Sequence, residues 1–312
     1  MDNILIAINA VVPFLCYISF GYLVRIAGIV DEPFMRRLNQ MVFRVFFPVM
    51  MFYNLYHHAA QVAPDKQLIF VSVISVLLTI LLAFLTVPRI VTENAKRGVI
   101  IQAIYRSNFV LFALPLSTNI FGDRGAAIAS AMIAIIIPIY NIFAIIILEY
   151  FRGDDIHILP LLKRVLSNPM IFGALVGLVF LVLGIHLPTC LETPVSQFSD
   201  LTTPLALFIL GSTLRFSSML DHAKYLIPTL IIKLLLLPAC MLCVTMVLDF
   251  EPVSRFVYLT MFATPVAAAS YPMAANMGGD GALAGELVVA STAFSVITLF
   301  SWIFILKSCG LI

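Results

Sequence analysis

Charge is scarce in this chain. Lys, Arg, Asp and Glu make up 11% of its 312 residues, against about a quarter in a soluble domain. So few ionic groups cannot cover a water-facing surface, which excludes an ordinary soluble fold. The net charge of +2 is too small to argue for a nucleic-acid partner. Cysteine is sparse and scattered, at Cys16, Cys190, Cys240, Cys243 and Cys309. Cys240 and Cys243 stand three apart in an apolar run with no second pair or histidine nearby, a setting for small apolar packing and not for metal or redox chemistry. No Gly-x4-Gly-Lys-Ser/Thr loop is present to hold ATP, and no His-Glu-x-x-His or serine-nucleophile motif. No polar stretch is long enough to form a soluble domain. Neither cofactor nor metal is expected.

What the chain has in abundance is apolar length: 62% of its residues are hydrophobic. About 20 apolar residues cross a bilayer as a helix. Ten such spans are predicted, at 4–24, 37–57, 67–88, 98–120, 125–150, 168–187, 194–216, 224–248, 253–276 and 282–307. The first follows Met1-Asp2-Asn3 without a basic residue, so it reads as a retained span and not a cleaved signal. Lys and Arg set the orientation. Connections after odd-numbered spans hold Arg25, Arg36, Arg37, Arg89, Lys96, Arg97, Arg152, Lys163, Arg164, Arg215 and Lys224, while the opposite side holds Lys66, Arg124, Arg255 and Lys307. The odd connections are therefore expected in the cytoplasm and both termini outside.

The chain repeats itself. A shift of 156, half its length, carries Pro13 to Pro169, Gly21 to Gly177, Gly28 to Gly184, Pro48 to Pro204, Gly122 to Gly278 and Gly125 to Gly281. A shift of 157 carries Pro115 to Pro272 and Asn119 to Asn276. Each half, 1–156 and 157–312, holds five predicted spans. An odd number inserts the second half upside down, and inverted repeats typify secondary transporters.

The fourth and ninth spans are interrupted in parallel. One reads from Tyr105 through Ser107, Asn108 and Pro115 to Asn119; the other from Ala263 through Thr264, Pro265, Ser270 and Pro272 to Asn276. Proline removes a backbone donor and crowds the preceding turn, so both spans should kink or break. Freed backbone groups at membrane depth need protein or a water-filled cavity around them. A half-helix N-terminus placed there suits an anion. Ser107, Asn108, Pro115, Asn119, Asn141, Thr264, Pro265, Ser270, Pro272 and Asn276 are the candidate substrate contacts, with the crossing at Pro115 and at either Pro265 or Pro272.

These residues also carry a resemblance. Ser107-Asn108, Leu114-Pro115-Leu116 and Phe121-Gly122-Asp123, with Leu38-Asn39, Phe46-Phe47-Pro48, the Pro265–Pro272–Ala275 run and Gly278-Gly279-Asp280, make the chain similar to the auxin efflux carrier family. That family contains plant auxin carriers and bacterial malonate carriers. The resemblance spans nearly the whole chain, without the long hydrophilic loop of the long plant carriers. It implies an all-α integral membrane protein with a bile-acid/sodium symporter-like fold. Spans 1, 2, 6 and 7 would form a scaffold, and spans 3–5 and 8–10 a transport domain moving elevator fashion. It implies a small mono- or dicarboxylate as substrate, Asn108 and Asn276 or their neighbours as carboxylate contacts, and a homodimer through the scaffold.

Ionisable residues inside spans are functional candidates by default. Arg106, beside the interruption, either meets an anion or snorkels to the cytoplasmic interface. Lys233 lies deep in the eighth span, with a substrate or coupling role set against snorkelling. Glu286 is either a solvated first-turn carboxylate or a titrating group in proton coupling. Arg44 and Asp200, one repeat apart, are a candidate scaffold ion pair, although Asp200 reads as lying near a helix end. His57 and His58 read as surface residues without metal-ligand spacing. Three functions compete: a secondary carrier for a small organic anion, coupled to protons, to sodium or to neither; an intramembrane enzyme; and a channel. A Gly278-Gly279-Asp280-Gly281 run without a second deep aspartate argues against a protease, and two inverted halves suit alternating access better than a pore.

Overall fold

The computed structural model describes residues 2–57, 65–153, 163, 165–214 and 216–312. His58, Arg164 and Arg215 lie outside the described residues. All regular elements described are helical. In chain order they are α1 (Asp2–Ile26), α2 (Glu32–Met41), α3 (Phe47–His57), α4 (Lys66–Ile90), α5 (Asn94–Tyr105), α6 (Phe109–Tyr150) and α7 (Pro169–Leu183). There follow α8 (Thr189–Thr213), α9 (Phe216–Asp221), α10 (Ala223–Ile231), α11 (Leu237–Val247), α12 (Pro252–Ala263), α13 (Ser270–Asn276) and α14 (Gly281–Ser308). A π-helical turn, Val42–Phe46, joins α2 to α3, and a second, Ile232–Leu236, joins α10 to α11.

Helix ends follow local chemistry. Asp31 accepts a hydrogen bond from Phe34 N at 2.8 Å, Asn168 from Met170 N at 2.9 Å and Asp280 from Leu283 N at 3.0 Å, capping α2, α7 and α14. Gly184 closes α7 in the left-handed conformation, φ 64°. Gly122, at φ 61° and ψ −146°, turns α6 sharply, dividing it into two helices between the fourth and fifth predicted spans.

Four helical stretches are long and apolar enough to cross a membrane: Lys66–Ile90, Phe109–Tyr150, Ala223–Val247 and Gly281–Ser308. Val12–Ile26 and Pro169–Leu183 are shorter apolar helices. Large apolar side chains face outward along these rods, among them Phe70 at 69% exposure, Val182 at 74% and Ile297 at 65%. In water such a surface would aggregate; in lipid it is solvated. The protein is an integral membrane protein. All five cysteines are free and exposed, Cys240 and Cys243 among them.

Two seams bring helix backbones into contact. On the α1–α8 seam a Cβ on Gly21 would fall 1.9 Å from Phe208 O, and one on Gly211 1.9 Å from Ile18 O. On the α3–α7 seam a Cβ on Gly177 would fall 2.6 Å from Phe52 O, and one on Gly173 2.2 Å from Pro48 O. Only glycine fits at such distances, and small residues let membrane helices approach this closely. A shift of 156 turns the Gly21–Phe208 contact into Gly177–Phe52. At the end of the first seam, Arg25 donates to Ser212 O at 3.0 Å and Leu214 O at 2.9 Å, satisfying carbonyls at the C-terminus of α8.

Candidate functional site

The fourth and ninth predicted spans break at Arg106–Asn108 and at Thr264–Ala269, where α5 gives way to α6 and α12 to α13. The two extended stretches meet as an antiparallel bridge between Ser107 and Val266. Asn108 N donates to Pro265 O at 2.7 Å and Ala267 N to Arg106 O at 3.4 Å. The Ser291 hydroxyl, from α14, accepts from Val266 N at 3.0 Å. Each break thus supplies backbone partners to the other, which is how non-helical chain survives at membrane depth.

The breaks do not sit where the prolines suggested. Pro115 stands seven positions after Asn108, inside α6, and is exposed, as is Asn119; neither lines the cavities at the crossing. Pro272 lies inside α13. Pro265 marks the crossing, through its carbonyl oxygen.

A cavity of about 340 Å³ opens against one face of the crossing. Arg106, Ser107, Asn108 and Asn141 line it, together with Ala267–Ala269 and the first residues of α6. Its other walls come from α1, α3 and α8, through Phe14, Met51, Ser199 and Asp200. Arg106 is 3% exposed, which excludes the snorkelling alternative. Its guanidinium donates to Asn141 Oδ1 at 2.5 Å and to Met273 Sδ at 2.8 Å. No carboxylate lies within 4.0 Å of it among the described residues. Asn108 stands at the N-cap of α6 without a side-chain capping bond, leaving its carboxamide to the cavity.

Lys233 reaches the crossing from behind. It occupies the π turn Ile232–Leu236, is fully buried, and donates to the Ser107 hydroxyl. It too has no carboxylate partner among the described residues. Two basic side chains therefore approach one three-residue break, Arg106–Asn108, without a carboxylate partner among the described residues. Thr264 and Ser270 are buried at the crossing, where their hydroxyls find no hydrogen-bond partner among the described residues. Neither they nor Pro265 line the cavity.

A second cavity, about 640 Å³, opens against α13 and the start of α14. Asn276 lines it, removed from the first cavity, and its amide donates to Pro272 O at 2.7 Å. Glu286 lines it as well but is not the solvated carboxylate favoured from sequence: it is 1% exposed and its Oε2 lies 2.8 Å from His222 Nδ1. His222, which carried no sequence signal, also approaches Asp280 at 3.8 Å.

The Arg44–Asp200 pair is not formed. Arg44 lines a third cavity beside Glu149 and Arg152, whereas Asp200 faces the first and accepts from Ser196 at 3.5 Å. Helix α8 begins at Thr189, five residues before the predicted span, which moves Asp200 from near an end to mid-helix. Among the described residues no cluster of His, Cys, Asp and Glu could hold a metal ion.

Helices clothed in apolar side chains, two matched breaks pairing through their backbones and cavities beside them suit a membrane transport protein. The chain matches the family described as membrane transport protein over residues 6–303 and belongs to it; this is the auxin efflux carrier family that the sequence resembles. It is similar to an uncharacterized transporter of Methanothermobacter thermautotrophicus, 23% identical over 298 residues, covering 94% of this chain and 96% of the relative. A second uncharacterized transporter, from Methanocaldococcus jannaschii, is 22% identical over 313 residues, covering 96% and 99%. The family and both relatives are transporters and not enzymes.

Proposed function

We propose that the protein is a secondary carrier of the cell membrane that moves a small organic carboxylate by alternating access. The observation that carries this reading is Arg106: a buried cation at a membrane-depth cavity, with no carboxylate of its own. An unpaired buried charge is costly, and a substrate carboxylate removes that cost while bound. Asn108, Asn141 and the amides opening α6 complete an anion-binding wall. Lys233 adds positive potential from behind Ser107.

The architecture in this proposal has ten crossings, several of them built from two helices end to end, as two inverted repeats, 1–156 and 157–312. Support comes from the exchanged contacts Gly21–Phe208 and Gly177–Phe52, the relation that a two-fold axis between repeats produces. Spans 1, 2, 6 and 7 form the scaffold and spans 3–5 and 8–10 the transport domain. Both cavities lie along the division between these groups, one touching Ala267–Ala269 and the other Tyr271 and Ala275. Sliding one group along the other would expose the crossing to each side in turn, with both termini outside. The buried Glu286 with His222 at the second cavity favours protons over sodium as coupling ion. A homodimer through the scaffold belongs to the same proposal.

Uptake and counterflow of labelled carboxylates in proteoliposomes, with pH and sodium gradients imposed separately, test the reading. Losing a charged hydrogen bond worth about 1.5–3 kcal/mol should lower uptake by Arg106→Gln roughly ten- to over a hundredfold. Folded Arg106→Gln protein transporting at the normal rate removes the proposal.

A further inference from the structure

Asp200 stands near the middle of α8 and is exposed. Ser199, Asp200, Thr203 and Pro204, spaced i, i+1, i+4 and i+5, turn one helix face to the first cavity. The carboxylate has no cationic partner within 4.0 Å among the described residues; only Ser196 Oγ, at 3.5 Å, is bonded to it. Arg106 lines the same cavity from the crossing, equally without an ionic partner. One cavity therefore holds one fixed cation and one fixed anion that do not neutralise each other.

A ligand satisfying both must carry both signs. A dicarboxylate that pairs with Arg106 brings a second negative charge into the cavity with Asp200, where confinement weakens solvent screening and like charges repel. A carboxylate with an ammonium group meets Arg106 at one end and Asp200 at the other. The rest of the lining, including Phe14, Met51, Val110 and Ile137, is apolar and suits a hydrocarbon body. We infer that the cavity takes a zwitterion, an amino acid whose carboxylate pairs with Arg106 and whose ammonium pairs with Asp200. This rests on the carrier reading and narrows its substrate class.

The test uses the full-length protein in proteoliposomes. Leucine and 4-aminobutanoate are compared with 4-methylpentanoate and butanoate, which lack the amino group, and with succinate, which replaces it by a second carboxylate. The amino acids should be favoured at least about tenfold, the equivalent of one charged hydrogen bond. Asp200→Asn should erase that preference by lowering amino-acid uptake to the level of the amine-free acids, and Asp200→Lys should turn the preference toward succinate. The wild-type comparison needs no variant, so poor folding of either substitution does not blunt it. Preference for succinate or the amine-free acids overturns the inference. So does an Asp200→Asn protein that loses all solutes alike, or loses only a pH dependence, which would make Asp200 a proton carrier. Arg106-dependent uptake of amine-free acids as fast as, or faster than, that of the amino acids would leave the carrier reading standing while this inference falls. Failure of every carboxylate to enter would remove both.

Discussion

Along the two glycine seams, one contact made by the first half of the chain is repeated by the second. Gly21 meets the backbone of Phe208, and Gly177 meets that of Phe52. At the crossing the halves part company. A shift of 156 carries Arg106 to Phe262, Asn141 to Ile297 and Lys233 back to Leu77. The backbone breaks in both halves, but the basic side chains are Arg106 in one break and Lys233 reaching it from the other half. The repeat along the seams is itself partial, since Gly173 and Gly211, equally pressed against backbone, fall on Tyr17 and Leu55 under the same shift. Arg106, Asn141 and Lys233 at the crossing have no such counterparts.

The seams give the sharpest test. Gly21→Val and Gly177→Val should each destabilise the protein by about 3 kcal/mol or more, since overpacking against backbone has no side chain to push aside. Loss of monodisperse protein, or a lower melting temperature in detergent, is the readout. A silent twin would break the equivalence. The crossing should behave in the opposite way. Asn108→Ala should reduce transport roughly tenfold or more without loss of folded protein, while Thr264→Ala, its partner under the shift, should leave transport nearly intact because Thr264 does not line the cavity. Equal defects in both would restore symmetry to the site.

The smallest effect belongs to a surface pair outside both regions. Lys96 lies 2.6 Å from Glu93 at the start of α5. A hydrogen bond from the ammonium holds the Glu93 carboxyl below its ordinary value of 4.5, and the same bond holds Lys96 above its own. A lowered carboxylate stabilises above its unfolded value, and that contribution fades as the pH falls through the folded one. Glu93 is exposed, so solvent screening keeps the gain small. Glu93→Gln should leave melting at neutral pH almost unchanged and erase only a slight acid-side slope.

Much of this could be read from the sequence because apolar length and helix punctuation are local. The break at Ser107-Asn108 and Thr264-Pro265 lay within the motifs that drew notice. Its position was misassigned to Pro115 because a proline signals a missing donor wherever it falls, and a helix that has already restarted at Phe109 tolerates it. The burial of Glu286 against His222 depends on a neighbour 64 positions away and left no local trace. The π turns left none either; the one hint was a lysine at position 233 in an otherwise apolar run. Asp200 entered the cavity wall once α8 was seen to start at Thr189. Helix ends without strong caps are the least legible feature of any sequence, and Pro188 at this N-cap makes no side-chain bond.

The bridge between Ser107 and Val266 has a mechanical consequence. Strand pairing permits only whole-residue steps, and a single step would turn each side chain to the opposite face. The breaks cannot glide past one another by small amounts. Two backbone hydrogen bonds fasten the junction of α5 and α6 to the segment between α12 and α13. Whatever moves Arg106 carries Ala267 with it, and the geometry offered to a solute travels intact.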